Sequence, residues 1–225
     1  MPRPWIPSRS IVLLLLLACM VASAARAQDA PGLRAAAVPA RGARAEAFVP
    51  AGWKIAAQAQ GDLNGDGRAD RVLHLVPREY EADLYAPPET GALVILLAGS
   101  GGSLRRAGVA PRLLLSSMPQ WSLQLAIRRG VLVVGQHYGM ADVWDLTHRF
   151  RLDAPSRRFI LIGRDLLTFH RPQGMYDNWS KSENYLTGVR LDTVGKLQPD
   201  GSYRDRVERR RIPRRRTAFE DVNER

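Results

Sequence analysis

The chain has 225 residues, of which 45% are hydrophobic, with a single cysteine and a formal net charge of +11. That apolar content is enough for a packed core in one domain, and one cysteine excludes a scaffold held by disulfides. The opening MPRPWIPSRSIVLLLLLACMVASAARAQDA places Arg3 and Arg9 before an apolar run from Ile11 to Ala22, and Ala25, Arg26 and Ala27 form a small-x-small site. This predicts a signal peptide over 1–27 and a periplasmic or secreted protein, because the run is shorter than the ~20 residues of a membrane span. A competing cut before Cys19 remains open, since Leu16, Leu17 and Ala18 resemble a lipoprotein processing box that would leave a lipid anchor. Residues 28–48 are rich in Ala, Pro, Gly and Arg without an apolar period and read as a flexible leader. A single domain is therefore expected over 49–225.

GDLNGDGRAD, residues 61–70, crowds Asp62, Asn64, Asp66 and Asp70 between two strand-like runs, WKIAAQAQ (53–60) and RVLHLV (71–76). Oxygen-bearing side chains on alternate residues suit a hard cation such as Ca²⁺. A helix-flanked calcium loop would need an acid at its twelfth position, where Leu73 stands, so that version fails. The alternative is a hydrogen-bonded Asx-rich turn without metal, because Asn-Gly and Asp-Gly form turns by themselves. The stretch GDLNGDGRADRVLHLV resembles the FG-GAP or VCBS type of calcium loop, a strand-loop-strand element of integrin-like β-propellers and of many secreted bacterial proteins. The resemblance implies a calcium role for Asp62, Asn64, Asp66, the carbonyl of Arg68 and Asp70. A looser similarity of HRFRLDAPSRRFILIG (148–163) and SENYLTGVRLDTVGK (182–196) to secreted bacterial proteins carrying one such loop names no activity.

Short strand-like runs follow, with no helical period. GALVILLAG (91–99) reads as a buried strand, and WSLQLAI (121–127) pairs with VLVVGQHYG (131–139) across RRG, with Leu123, Leu125 and Ile127 inward. VWDLTHRFRL (143–152) places Trp144, Leu146, His148 and Phe150 on one face and turns at DAPSRR into FILIG (159–163). ENYLTGVRLDTV (183–194) and SYRDRVERRRI (202–212) complete the set. An all-β antiparallel meander is expected, as an irregular small propeller-like fold or a curved barrel, because no internal repeat is present.

Residues 203–216, YRDRVERRRIPRRR, hold eight Arg against Asp205 and Glu208. They read either as an electrostatic footprint for an acidic partner or as a solvated edge strand. No recognition helix or RNA-binding motif is visible, so nucleic acid is not expected. Aromatic residues gather in two segments read as loops, QHYGMAD (136–142) and HRPQGMYDNWSKSEN (170–184), which makes Tyr138, Tyr176 and Trp179 candidate anchors for a protein partner. Covering the end of the core is the other role open to them. The four histidines are scattered, and Asp142, Asp145, Asp153 and Asp165 have no spacing that brings two together, so a binding module is favoured over an enzyme. By analogy of architecture, a lysozyme-like peptidoglycan hydrolase is one conceivable partner, and a carbohydrate-active enzyme is a third reading.

Overall fold

In the computed structural model, which describes residues 32–81, 91–115, 121–139, 142–170 and 178–224, twelve strands form two antiparallel sheets. β1 (Arg41–Gly42), β2 (Trp53–Gly61), β3 (Asp70–Pro77), β4 (Ala92–Ala98) and β5 (Leu104–Ala110) make the shorter sheet, in the order β1-β5-β4-β3-β2. The longer one runs in reverse chain order through β12 (Tyr203–Arg211), β11 (Val189–Leu197), β10 (Asn178–Asn184), β9 (Arg158–His170), β8 (Asp142–Asp153), β7 (Val131–Gly139) and β6 (Ser122–Arg128). The all-β antiparallel meander is thus what the chain adopts, as two open sheets of five and seven strands without barrel closure. No helix among the described residues is long and apolar enough to cross a membrane.

Burial explains why β3 and β4 read as unbroken apolar runs. Val72, Leu93 and Ile95 share a core cluster with Leu132, Val134, Phe150, Phe159 and Leu161 of the longer sheet. The alternate residues Leu73, Leu75, Val94 and Leu96 pack instead with Leu33, Val38, Ala45 and Phe48. A sheet covered on both faces has no polar side to alternate with.

The leader expected over 28–48 is therefore corrected from residue 32 onward. Short 3₁₀ turns at Ala35–Ala37 and Ala45–Phe48 drop single apolar side chains onto the sheet, and β1 pairs with β5. Arg106 fastens the segment, its guanidinium donating to the carbonyls of Ala35 and Val38 and its backbone N–H to Ala40 O at 3.0 Å. Full burial of Phe48 alone stabilises by about 2 kcal/mol.

In the longer sheet β7 alternates buried and half-buried residues, as a strand with one face on the core should. Among the described side chains none of β10, β11 or β12 belongs to either core cluster. The strand expected over 183–194 is two strands. Asn184 Oδ1 accepts from Leu186 N (3.1 Å) and Thr187 N (3.0 Å), and Gly188 takes φ +67° where a Cβ would meet Ile212 O at 2.7 Å. After β12 the chain returns under β9. Leu161 N donates to Thr217 O at 2.8 Å, and Phe219 sits edge-on to Phe150 with centroids 5.1 Å apart.

Candidate functional site: an acidic loop and an aromatic row

The loop between β2 and β3 is a ladder of side-chain-closed turns. Asn64 N donates to Asp62 Oδ1 (3.1 Å), Asp66 N to Asn64 Oδ1 (3.0 Å) and Arg68 N to Asp66 Oδ1 (2.9 Å). Gly65 N and Gly67 N also donate to Asp62, at 2.7 and 2.8 Å, and both glycines have positive φ, +81° and +78°, that suits them alone. These backbone donors, Gly67 first, hold the Asp62 carboxyl below the ordinary carboxylate range; the Arg68 N–H does the same for Asp66.

Two of the expected ligands have other duties. Asp70 is 0% exposed, and its carboxylate accepts Leu63 N and Ala98 N, both at 2.8 Å, which ties the loop to the end of β4. Arg68, expected to offer its carbonyl, reaches Asp66 Oδ2 at 2.7 Å and Ala98 O at 3.3 Å with its side chain. Among the described residues no three His, Cys, Asp or Glu side chains close on one point. The donor chemistry fits a hard cation at Asp62 Oδ2 and Asp66 Oδ1, each of which accepts one N–H and keeps a lone pair, whereas Asp62 Oδ1 already accepts from Asn64 N and Gly65 N, and Asp66 Oδ2 would have to exchange the Arg68 guanidinium and the Asn64 amide for the ion. Asp70 points the same way. Burial pushes its carboxyl up, and the Asp66 and Asp62 charges push it further, a repulsion that a cation would cancel.

Of the expected partner anchors, Tyr176 lies outside the described residues. Tyr138 and Trp179 stand on strands, in β7 and β10, which corrects the loop readings at 136–139 and 178–184, while 140–141 and 171–177 lie outside the described residues. The register joins them. Tyr138 faces Trp144, Trp144 faces Thr168, Thr168 faces Trp179, Trp179 faces Val194 and Val194 faces Arg206, so one row crosses six strands on one face of the longer sheet.

At its inner end the row is firm. Tyr138 is only 8% exposed and stacks on Trp144, with ring centroids 5.4 Å apart and an 8° tilt. Farther out it opens. Trp179 is half-buried with the Lys181 ammonium 5.0 Å from its ring centre, Val194 is 38% exposed and Arg206 is exposed. Sequence placed Trp144 on a strand face but offered neither it nor Thr168, Val194 or Arg206 as a partner anchor. Their alternation within each strand was legible, but not the pairing that lines the strands up.

Two histidine pairs were also missed. His148 is fully buried and its Nε2 lies 2.9 Å from Glu224 Oε1, while Arg164 donates to both oxygens of Glu224 at 3.0 Å. Seventy-six residues separate His148 from Glu224, so nothing local announces them. On the opposite face of the sheet His137 Nδ1 lies 2.5 Å from Asp145 Oδ1, and Ser122 faces His137 across the β6–β7 ladder. The His137 and Asp145 side chains are 41% and 43% exposed, an arrangement without the water exclusion that strengthens catalytic electrostatics. His74 is buried, and burial alone pushes its pKa down to about 4, so it stays a neutral core residue. Comparison with protein-family models, with curated proteins and with solved structures finds no match, and the reading of the site rests on its own residues.

Proposed function

We propose that the protein is an exported, calcium-stabilised module that recognises another protein through the outer strands β10–β12, on the side of its longer sheet that carries the aromatic row, and catalyses no reaction. The row from Tyr138 to Arg206 carries this reading. A rigid inner end of stacked rings and an open outer end of indole, aliphatic and cationic groups supply the aromatic and Arg anchors on which protein interfaces depend. Strands β10–β12, none of whose described side chains joins a core cluster, give those groups a platform. Export is supported by the charged, apolar and small-residue order of residues 1–27.

Capture from a periplasmic extract of the native host tests it. Trp179→Ala is expected to weaken the captured complex by about 2 kcal/mol, roughly thirtyfold, without changing the melting temperature much. A peptidoglycan hydrolase among the captured proteins would give the inhibitor form of the reading. If nothing is retained, and the wild type but not His137→Ala hydrolyses a glycan or ester probe, a catalytic function takes its place.

Calcium is expected to raise the thermal midpoint and chelator to lower it, because an ion that binds only the folded loop stabilises by linkage. Asp66→Ala should abolish the shift. An unchanged wild-type midpoint in chelator, for protein first saturated with calcium, would leave the loop as a metal-free turn.

A further inference from the structure

The edge of the longer sheet bears on what the partner presents. Among the described residues β12 pairs with β11 alone, which leaves the nine residues Tyr203–Arg211 with one edge unpaired there, and every side chain from Arg204 to Arg211 is exposed. Val207, on the face opposite the aromatic row, is 58% exposed. Such an edge is a template for another strand unless its charges forbid it.

On the face of the row those charges are unbalanced. Arg204 stands directly opposite Lys196, and like charges in that relation are destabilising. Asp192 and Glu208 are already engaged, Arg190 holding Asp192 Oδ1 at 2.6 Å and Arg210 holding Glu208 at 2.7 Å, and only Asp192 Oδ2 lacks a hydrogen bond. Among the described residues Lys196 and Arg204 have no ion pair, and Arg206 feels only the charge of Glu208, which Arg210 already binds, around a groove of about 510 Å³ lined also by Val194, Asp192 and Glu208.

We infer that the partner adds an extended acidic segment to the free edge of β12, as an eighth strand of the longer sheet. This rests on the protein-recognition reading above and names the chemistry of the partner. A strand paired to β12 sets its residues opposite Arg204 and Arg206 on the same face, two apart, so the segment carries Asp or Glu at alternate positions. Main-chain hydrogen bonds supply affinity, and the carboxylates relieve the repulsion between Arg204 and Lys196. The same strand disfavours the edge of a second copy, because its five arginines outnumber Asp205 and Glu208 and two such strands repel each other, so one device opposes self-pairing and selects an acidic strand.

The test uses the full chain and a capped nine-residue peptide of alternating Glu and Thr, with binding followed by calorimetry and amide exchange in β12 by NMR. The expected result is binding that slows exchange of the outward amides between Arg204 and Arg211 and weakens as salt rises. Arg206→Glu should weaken it about tenfold, whereas the charge-matched control Arg105→Glu, on the shorter sheet, should not. Alternating Lys and Thr should not bind, nor should the Glu-Thr peptide with alternate backbone amides methylated. Equal binding of the methylated peptide, or of a sulfated glycan with no amide protection, would overturn strand addition in favour of a plain polyanion surface. No binding of the Glu-Thr peptide would overturn it too. If the peptide fails while a Trp179-dependent partner is still captured, the edge proposal falls and the recognition reading survives.

Discussion

Asp70→Ala is expected to destabilise the protein by about 4 kcal/mol, the largest loss of any single change in the acidic loop. The carboxylate is fully buried and is the acceptor for two backbone donors, Leu63 N from the loop after β2 and Ala98 N from the end of β4. Removing it leaves both N–H groups without a partner in the interior, at roughly 1–3 kcal/mol each. Asp70→Asn keeps one oxygen acceptor and turns an amide donor toward the other N–H, so about half the loss should remain. Urea midpoints of the three proteins in chelator read the effect without calcium. A loss below about 1 kcal/mol for Asp70→Ala would mean that the loop is held by something other than this carboxylate. Asp62→Ala should cost less, because its donors Gly65 N and Gly67 N can turn to water in an exposed loop.

The parts of the fold legible in sequence are those whose cause is local. β7 and β8 show period two because one face meets the core, and β3 and β4 show none because both faces do. β5 was missed because Arg105, Arg106 and Gly108 interrupt its apolar pattern, and Arg106 is there to bind the carbonyls of Ala35 and Val38 across 71 and 68 residues of chain. The segment 32–48 looked like a leader for the same reason. Its buried side chains Leu33, Val38, Ala45 and Phe48 hang from 3₁₀ turns at irregular intervals and acquire meaning only beneath the sheet they cover.

The acidic loop divides similarly. Alternation of Asp62, Asn64 and Asp66 is a property of neighbours and was readable, whereas the anchoring of Asp70 depends on Ala98, 28 residues away. The aromatic row is the extreme case. It requires the register of five strand pairs, one of them displaced by an irregularity between Arg149 and Phe150, and a one-residue slip in any pair would send half of it to the other face.

Glu224→Gln is expected to remove on the order of 3 kcal/mol at neutral pH and to flatten the acid limb of the stability curve. Burial opposes ionisation of Glu224, but the hydrogen bonds and charges of His148 and Arg164 outweigh it and hold the carboxyl down at about 2, against an ordinary 4.5. A carboxyl whose pKa is depressed in the folded state contributes stability that is complete above its unfolded value and is lost as pH falls through its folded one. The window therefore runs from about 4.5 down to about 2. Asp70 has the opposite sign, since its carboxyl is raised by burial, so its protonation favours the folded state and cannot be what acid removes. Glutamine keeps the size of the side chain and one acceptor for Arg164 but leaves the guanidinium without a counter-charge, and His148 Nε2 without its carboxylate partner, in a mostly buried site. The loss should register first in the C-terminal segment, where Phe219 and Val222 are held against the core and Arg158 reaches Glu220 and Asp221 at 3.4 and 3.3 Å. Guanidinium titrations of both proteins at intervals from pH 7 to pH 2.5 supply the curves. The gap between them should be widest above pH 5 and narrow steadily below 4.5; a gap that stays constant across that range would show that the depressed Glu224 carboxylate is not what couples this end of the chain to pH.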